Sequence, residues 1–404
     1  MTLTGLARLR VTAAAVACAV ILGSAAFAPA GCAAGAAGVP VSAARNSGRV
    51  TAYVVNYNSD TVTPINTATN TALKPVRTGY GNPDAIAITP DGKTAYIANG
   101  AGGGDQVPAD SVTPIRTATN TALRQIKTAN SGGSGPDAIA ITPDGKTAYV
   151  ANGSGDNVTP IRTATNTALK PVKVGCNPDA IAITPNGKTA YVINSCDGTV
   201  TPIRTATNTA LKPIKAGSAP DAIAITPDGK TAYVVDIGSR HGIGHPPAGT
   251  VTPIRTATNT ALKPIKTGPG SDAIAITPDG KTAYVANGYS NTVTPIRIAT
   301  GTALKPIKTG TGPSAIAITP DGKTAYVINF NANTVTPIRI ATNTALKPIK
   351  VGRDPEFIAI TPNGKTVYVV NGGSNTVTPI RTATNTALKP IKTGRQPENI
   401  AITP

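Results

Sequence analysis

The chain has 404 residues, a formal net charge of +18, three Phe, eleven Tyr and no Trp. So few aromatics exclude a base-stacking surface of the kind nucleic-acid readers use, and leave Ile, Val, Ala and Tyr to build a core. Length alone would allow two or three ordinary domains, but one repeat runs through most of the chain and points to a propeller or solenoid instead.

The N-terminus reads as a signal peptide, residues 1–30. Arg8 and Arg10 give the charged start, residues 11–23 an apolar stretch too short to span a bilayer, and Ala28-Pro29-Ala30 a small-residue cleavage site. Cys32, directly after Gly31, resembles the modified cysteine of a bacterial lipoprotein, although Pro29 stands where Leu is usual. Residues 31–48 follow as a flexible linker, and no second apolar run appears. The mature chain is expected to be secreted, or lipid-anchored through Cys32, with no transmembrane segment.

Residues 49–404 repeat one unit. In the copy at 178–215, strand A is expected over 179–184, followed by a tight turn at Pro185-Asn186-Gly187-Lys188, with Gly where φ is positive. Strand B follows over 189–194, a turn at Ser195-Cys196-Asp197-Gly198, strand C over 199–204, a turn at Ala206-Thr207-Asn208, and strand D over 209–215. Four short strands joined by tight turns make one antiparallel blade, and Pro, Gly and Thr disfavour helix throughout. Eight copies predict an all-β, eight-bladed propeller. One Tyr recurs per unit, at Tyr53, Tyr96, Tyr149, Tyr191, Tyr233, Tyr284, Tyr326 and Tyr368, and the base period is 42 residues. Extra residues fall at 100–110 and 237–249, between strands B and C, and at 129–135, between D and A. All lie on the face where strand A begins, the top, and binding tends to sit on such variable loops. The repeats start in mid-unit at Arg49 and end just after another A segment, 397–404. That last segment is expected to pair with strand B of the first unit, residues 51–56, and close the ring.

The Tyr-Val-[AVI]-Asn segments, the Pro-Asp-Gly-Lys turns and the Thr-Ala-Thr-Asn-Thr turns are similar to the YVTN β-propeller repeat over residues 49–404. The resemblance implies the fold. It leaves function open, because members include secreted surface proteins and relatives of propeller lactonases and of the amine dehydrogenase β-chain. Where that family usually has Asp after the Ile of strand C, this chain has Arg116, Arg162, Arg204, Arg255, Arg297, Arg339 and Arg381, and Asn66. A Pro precedes that Ile in every copy and should remove a ladder hydrogen bond.

Charge is repetitive too. Strand D carries two cations per copy, such as Lys212 and Lys215, sixteen in all, and is the outermost strand. Edge protection accounts for part of that belt. The functional reading is adhesion to an anionic cell-wall polymer or polysaccharide, or to another protein; nucleic acid is disfavoured. Acids instead open strand A, at Asp84, Asp137, Asp179, Asp221, Asp272, Glu356 and Glu398, with Ser314 in the remaining copy. They should ring the mouth of the central channel. Clustered carboxylates suit a cation such as Ca²⁺, while the plainer reading is that each accepts local backbone N–H groups.

No G-x-S-x-G elbow, H-E-x-x-H or P-loop is present. The two His, His241 and His245, share one Gly- and Pro-rich loop near Asp236 and form a weak metal candidate. Cys176 precedes strand A and Cys196 follows strand B of one copy. The hairpin pairs Thr184 with Thr189, which places the two cysteines opposite each other within one residue of register, and a disulfide is expected in an exported chain. The residues together indicate a monomeric, non-catalytic binding scaffold without a cofactor. The alternative is a divalent-cation-dependent enzyme at the channel mouth, lactonase-like or lyase-like.

Overall fold

The computed structural model describes residues 50–79, 81–100, 110–128, 135–238 and 248–404. The expected signal peptide, the linker and Cys32 lie outside the described residues. The described chain folds into eight antiparallel sheets. Blade I joins strand B (Thr51–Asn56), strand C (Thr61–Asn66) and the two pieces of strand D (Thr71–Ala72 and Val76–Arg77) to the closing strand Pro397–Ile402. Blades II to VIII occupy residues 83–127, 136–173, 178–215, 220–269, 271–308, 313–350 and 355–392. The A strands of neighbouring blades contact one another around the centre.

Closure follows the expected register. Ala52 faces Ile402, Val54 faces Ile400 and Asn56 faces Pro397. The Thr403 amide donates to Thr51 O at 2.9 Å, and the Thr51 amide to Thr403 Oγ1 at 2.9 Å. Below the strands, Gly92 packs on Pro404 as Gly145 packs on Pro90. The final segment thus takes the pairing and packing position of its counterparts.

Strand D differs from the expected continuous strand over 209–215. It pairs as Thr209–Ala210 and again as Ile214–Lys215, with Leu211, Lys212 and Pro213 between. The break explains the repeated Pro of strand C. The Leu211 amide donates to Pro202 O at 2.8 Å, so Pro202 turns its backbone toward strand D. Its missing N–H therefore faces the gap, where no ladder bond is lost. The arrangement recurs in all eight blades, from Leu73 on Pro64 to Leu388 on Pro379.

The core lies between blades. One face of a blade packs on the opposite face of the next: Ala138, Tyr149, Ala151 and Val158 of blade III meet Ile181, Val192 and Ile203 of blade IV. At the seam, Tyr368, Val370 and Ile391 of blade VIII meet Ala52, Val54 and Ile400 of blade I. The repeated Tyr adds a polar lock. Its hydroxyl donates to the Oδ1 of an Asn in the C–D turn of the next blade: Tyr53 to Asn120 at 2.6 Å, Tyr284 to Asn343 at 2.6 Å, and across the seam Tyr368 to Asn70 at 2.5 Å. Seven blades have the lock. Tyr233 of blade V faces Gly301 instead of Asn. These Asn sit at positive φ, as at Asn343 with φ 50°, which Asn tolerates better than other side chains.

Candidate functional site

The top of each blade is built by one device. Strand B ends in an Asn whose side chain is fully buried, except for Asp236 in blade V. In blade IV the Asn194 amide donates to Thr199 Oγ1 at 2.9 Å and Thr201 Oγ1 at 2.8 Å, and its Oδ1 accepts from the Gly175 amide at 3.1 Å. That fixes the D–A loop, and so the point where strand A enters the channel.

Strand A enters with a bulge. Pro178 faces Asn194 and Ala180 faces Ile193, so Asp179 is the extra residue. The same shift falls at Asp84, Asp137, Asp221, Asp272, Ser314, Glu356 and Glu398. All seven predicted carboxylates thus occupy equivalent bulge positions on the inner strands, and bulges re-aim side chains. The carboxylates lie low against the B–C turn of their own blade: Asp137, Asp272 and Glu356 leave no room for a Cβ on Gly153, Gly288 and Gly372. Asp221 is buried at 1% exposure.

The ring is not uniform. Glu398, Asp84 and Glu356 stand on three consecutive inner strands at the seam, those of blades I, II and VIII. Glu398 Oε1 accepts from Gln396 Nε2 at 2.8 Å, while its Oε2 is buried without a donor. Burial first, then the charges of Asp84 and Glu356, pushes the Glu398 carboxyl up to about 9. Burial, then Asp354 and Asp84, pushes Glu356 up to about 7. Asp84 is close enough that two ionised carboxylates would repel, which favours the protonated form of Glu398. Arg353 and Arg395, in the adjoining loops, direct their guanidinium groups to Gly373 O and Asn58 O. The seam thus gathers two buried Glu carboxyls whose burial and neighbouring charges favour the protonated form.

The Cys176–Cys196 disulfide forms, with Cα atoms 5.5 Å apart. The bulge at Asp179 supplies the one-residue slip that brings the cysteines into register. The bridge ties the D–A loop to the B–C turn at the top of blade IV. Asp236, in contrast, is spent on backbone: its Oδ1 accepts from the amides of Ala219 at 2.7 Å, Ser218 at 3.2 Å and Gly238 at 3.3 Å. It takes the place of the Asn found in other blades. His241 and His245 lie outside the described residues, as does most of both B–C insertions.

The outer wall carries the strongest electrostatic feature. The strand-C Arg residues and both strand-D cations of every blade are exposed. None of the chain's nineteen acids falls within strand C, the C–D turn or strand D. Among the described residues the side chains of these wall cations make no hydrogen bond or ion pair. The A–B turn lysines are different: Lys93 pairs with Asp91 at 3.4 Å and Lys146 with Asp144 at 3.6 Å.

The family model "Lactonase, 7-bladed beta-propeller" matches residues 46–173 and 215–402. The unmatched stretch, 174–214, is close to one unit of the repeat and holds the disulfide-bearing blade IV. No curated protein matches the chain. Among solved structures, hydrazine synthase of Kuenenia stuttgartiensis is similar over 74% of this chain and 96% of that one, at 25% identity and TM-score 0.59. The dihydro-heme d1 dehydrogenase NirN is similar over 87% of this chain and 74% of that one, at 13% identity and TM-score 0.68. A putative 6-phosphogluconolactonase of Bacteroides fragilis is similar over 88% and 98%, at 22% identity and TM-score 0.57. The last two likenesses concern the fold alone.

Proposed function

The chain belongs to the 7-bladed β-propeller lactonase family, here with eight blades, and from that premise we propose a non-catalytic binding scaffold, exported to the cell envelope, that holds an anionic ligand on its outer wall. One observation carries the reading: three unpaired cations per blade on strands C and D in seven blades, two in blade I, and no acid among them. Edge protection favours Lys and Pro and so accounts for part of the strand-D belt. It does not reach the strand-C Arg, which lies inside the sheet. An unneutralised wall raises the local concentration of polyanions and speeds their capture. The disulfide accords with an oxidising compartment, and among the described residues no helix is long and apolar enough to cross a membrane. A pull-down on the host's own cell-wall fraction tests the reading: retention at low salt and release at high salt are expected. Equal retention at both would refute it.

A second reading has its own support. The seam acids Glu398 and Glu356 differ in proton affinity, the pattern that lets one carboxyl act as general acid and another as base, and the family includes lactonases. A channel-mouth hydrolase of that kind would lose turnover of a sugar lactone in Glu398→Gln. Bound divalent metal in the purified protein would favour the cation-dependent form of this reading, and its absence would sink that form.

A further inference from the structure

The wall is eight near-copies of one surface, and that repetition limits what it can recognise. Within a blade the cations form a stripe. In blade IV Arg204 stands at the bottom, opposite Thr209; Lys212 lies in the break of strand D; and Lys215 stands at the top, opposite Thr199. The stripe recurs in blades II, III and V to VIII, and blade I keeps Lys74 and Arg77 with Asn66 in place of the Arg. Three properties follow. The strand-D cations are Lys except at Arg77 and Arg124, so strand D offers mainly point charges, and the planar guanidinium forks stand on strand C, one in each of seven blades. No aromatic lies on strands C or D, so neither bases nor sugar rings have a face to stack on. No acid lies on strand C or strand D of any blade.

We propose that the wall binds a flexible linear polyanion whose charge lies on its backbone, and that the polymer spans several blades without a fixed register. This rests on the outer-wall reading given above. A ligand confined to one stripe would meet three cations at most, on a surface with no desolvated pocket, where single exposed ion pairs contribute little. A chain crossing several stripes adds contacts that each release counterions. Because the stripes are equivalent, any of them can begin the contact, and occupied stripes tether the chain to the next.

Polyphosphate of defined lengths is the probe, with binding followed by anisotropy of an end-labelled chain against the mature protein. Affinity should rise steeply with length until several blades are spanned, and the salt slope should steepen with it. Lys212→Gln with Lys215→Gln, which leaves that blade only Arg204, should change Kd by less than about twofold, because the other seven stripes remain. The same pair replaced in four adjacent blades should weaken binding by more than about tenfold and lower the salt slope. Salt-sensitive binding that is independent of length, or abolished by the single-blade variant, would overturn the register-free wall while leaving the outer-wall reading intact. No binding of any length at low salt would overturn both. Oligo-dT of equal charge should bind no tighter than polyphosphate; tighter binding would assign the wall to nucleic acid.

Discussion

The missing lock of blade V is a natural experiment in how much one inter-blade hydrogen bond contributes. Gly301→Asn should restore it. The turn is already shaped for the purpose: Gly301 has φ 60°, against 50° to 53° for the lock Asn residues, and its amide donates to Ile298 O at 3.3 Å, as the Asn343 amide does to Ile340 O. A Cβ added at Gly301 meets nothing nearer than Ile265 Cδ1 at 3.8 Å. The new Asn Oδ1 would accept from the Tyr233 hydroxyl, a net gain of about 1 kcal/mol. Removing a Gly from the unfolded chain adds roughly 0.4–1 kcal/mol, partly offset by the positive φ that Asn tolerates. A net stabilisation of about 1 kcal/mol is expected. In a chain of this size that moves the melting temperature by only about 1–2 °C, so urea titration is the better assay, with a raised midpoint and an unchanged slope. Tyr233→Phe makes the test specific. It should be nearly neutral in the natural chain and lose about 1 kcal/mol in the Gly301→Asn background, whereas Tyr284→Phe should lose that much outright. No coupling between positions 233 and 301, alongside a measurable loss for Tyr284→Phe, would refute the account of the lock.

Deleting residues 397–404 should cost at least about 3 kcal/mol, since Ile400 leaves the seam core and strand B of blade I becomes an edge; unchanged melting would contradict closure. The seam carboxyls predict a pH dependence: protons held by Glu356 and Glu398 stabilise the fold fully below their ordinary value of 4.5, and that contribution is lost as pH rises through about 7 and about 9. Glu398→Gln should flatten the fall in melting temperature between pH 5 and 9, and an unaltered slope would disprove the raised Glu398 carboxyl. Burial pushes the hydroxyls of the lock Tyr residues up to about 12 from 10.0, so a steeper loss of stability is expected above pH 10, checked by the same melts with Tyr absorbance. Reduction of Cys176–Cys196 should lower stability by about 3 kcal/mol, the chain-entropy figure for a 20-residue separation, visible as a lower urea midpoint in dithiothreitol.

The fold was legible because each unit carries its own punctuation. Pro185-Asn186-Gly187 marks the A–B turn, and the cut at Arg49 and Pro404 marks the seam. The disulfide followed from hairpin arithmetic, and the residual one-residue discrepancy was the bulge at Asp179, which period-2 alternation does not reveal. The break in strand D was hidden because Lys212 and Pro213 interrupt a pattern that still reads as extended. Its necessity appears only when Pro202 is seen to face it. The Tyr–Asn lock had a sequence signal, since a Tyr and a C–D turn Asn recur in the units and only Gly301 stands in for the Asn, yet nothing in the recurrence says that the contact crosses from one blade to the next. The raised seam carboxyls were out of reach for another reason. Glu356 and Glu398 stand out as the only Glu residues, but their acidity is set by burial and by Asp84, some 270 and more positions away.

Repetition also separates structural residues from functional ones without any comparison between proteins. A residue written into nearly every blade is either needed by every blade or used by something that contacts every blade. For most of the repeated polar set the first answer is visible. The strand-B Asn is fully buried on the strand-C Thr pair; the A–B turn Asp or Asn accepts from Thr184-type hydroxyls and the following Lys amide; the Tyr and C–D Asn lock neighbours together; the A–B Gly packs on a neighbouring Pro. The A–B Lys has its Asp in five of the blades. The strand-C Arg and strand-D cations are different: they recur as faithfully, stand exposed, and touch no polar partner among the described residues. Like charges kept close around a closed ring repel one another, which costs the folded state, so in the absence of a fold-internal role their persistence has to be accounted for outside the fold. The channel mouth shows the reverse pattern, with Asp, Ser and Glu exchanging at one bulge position, as expected of a site where a few blades, not all, have been turned to a particular task.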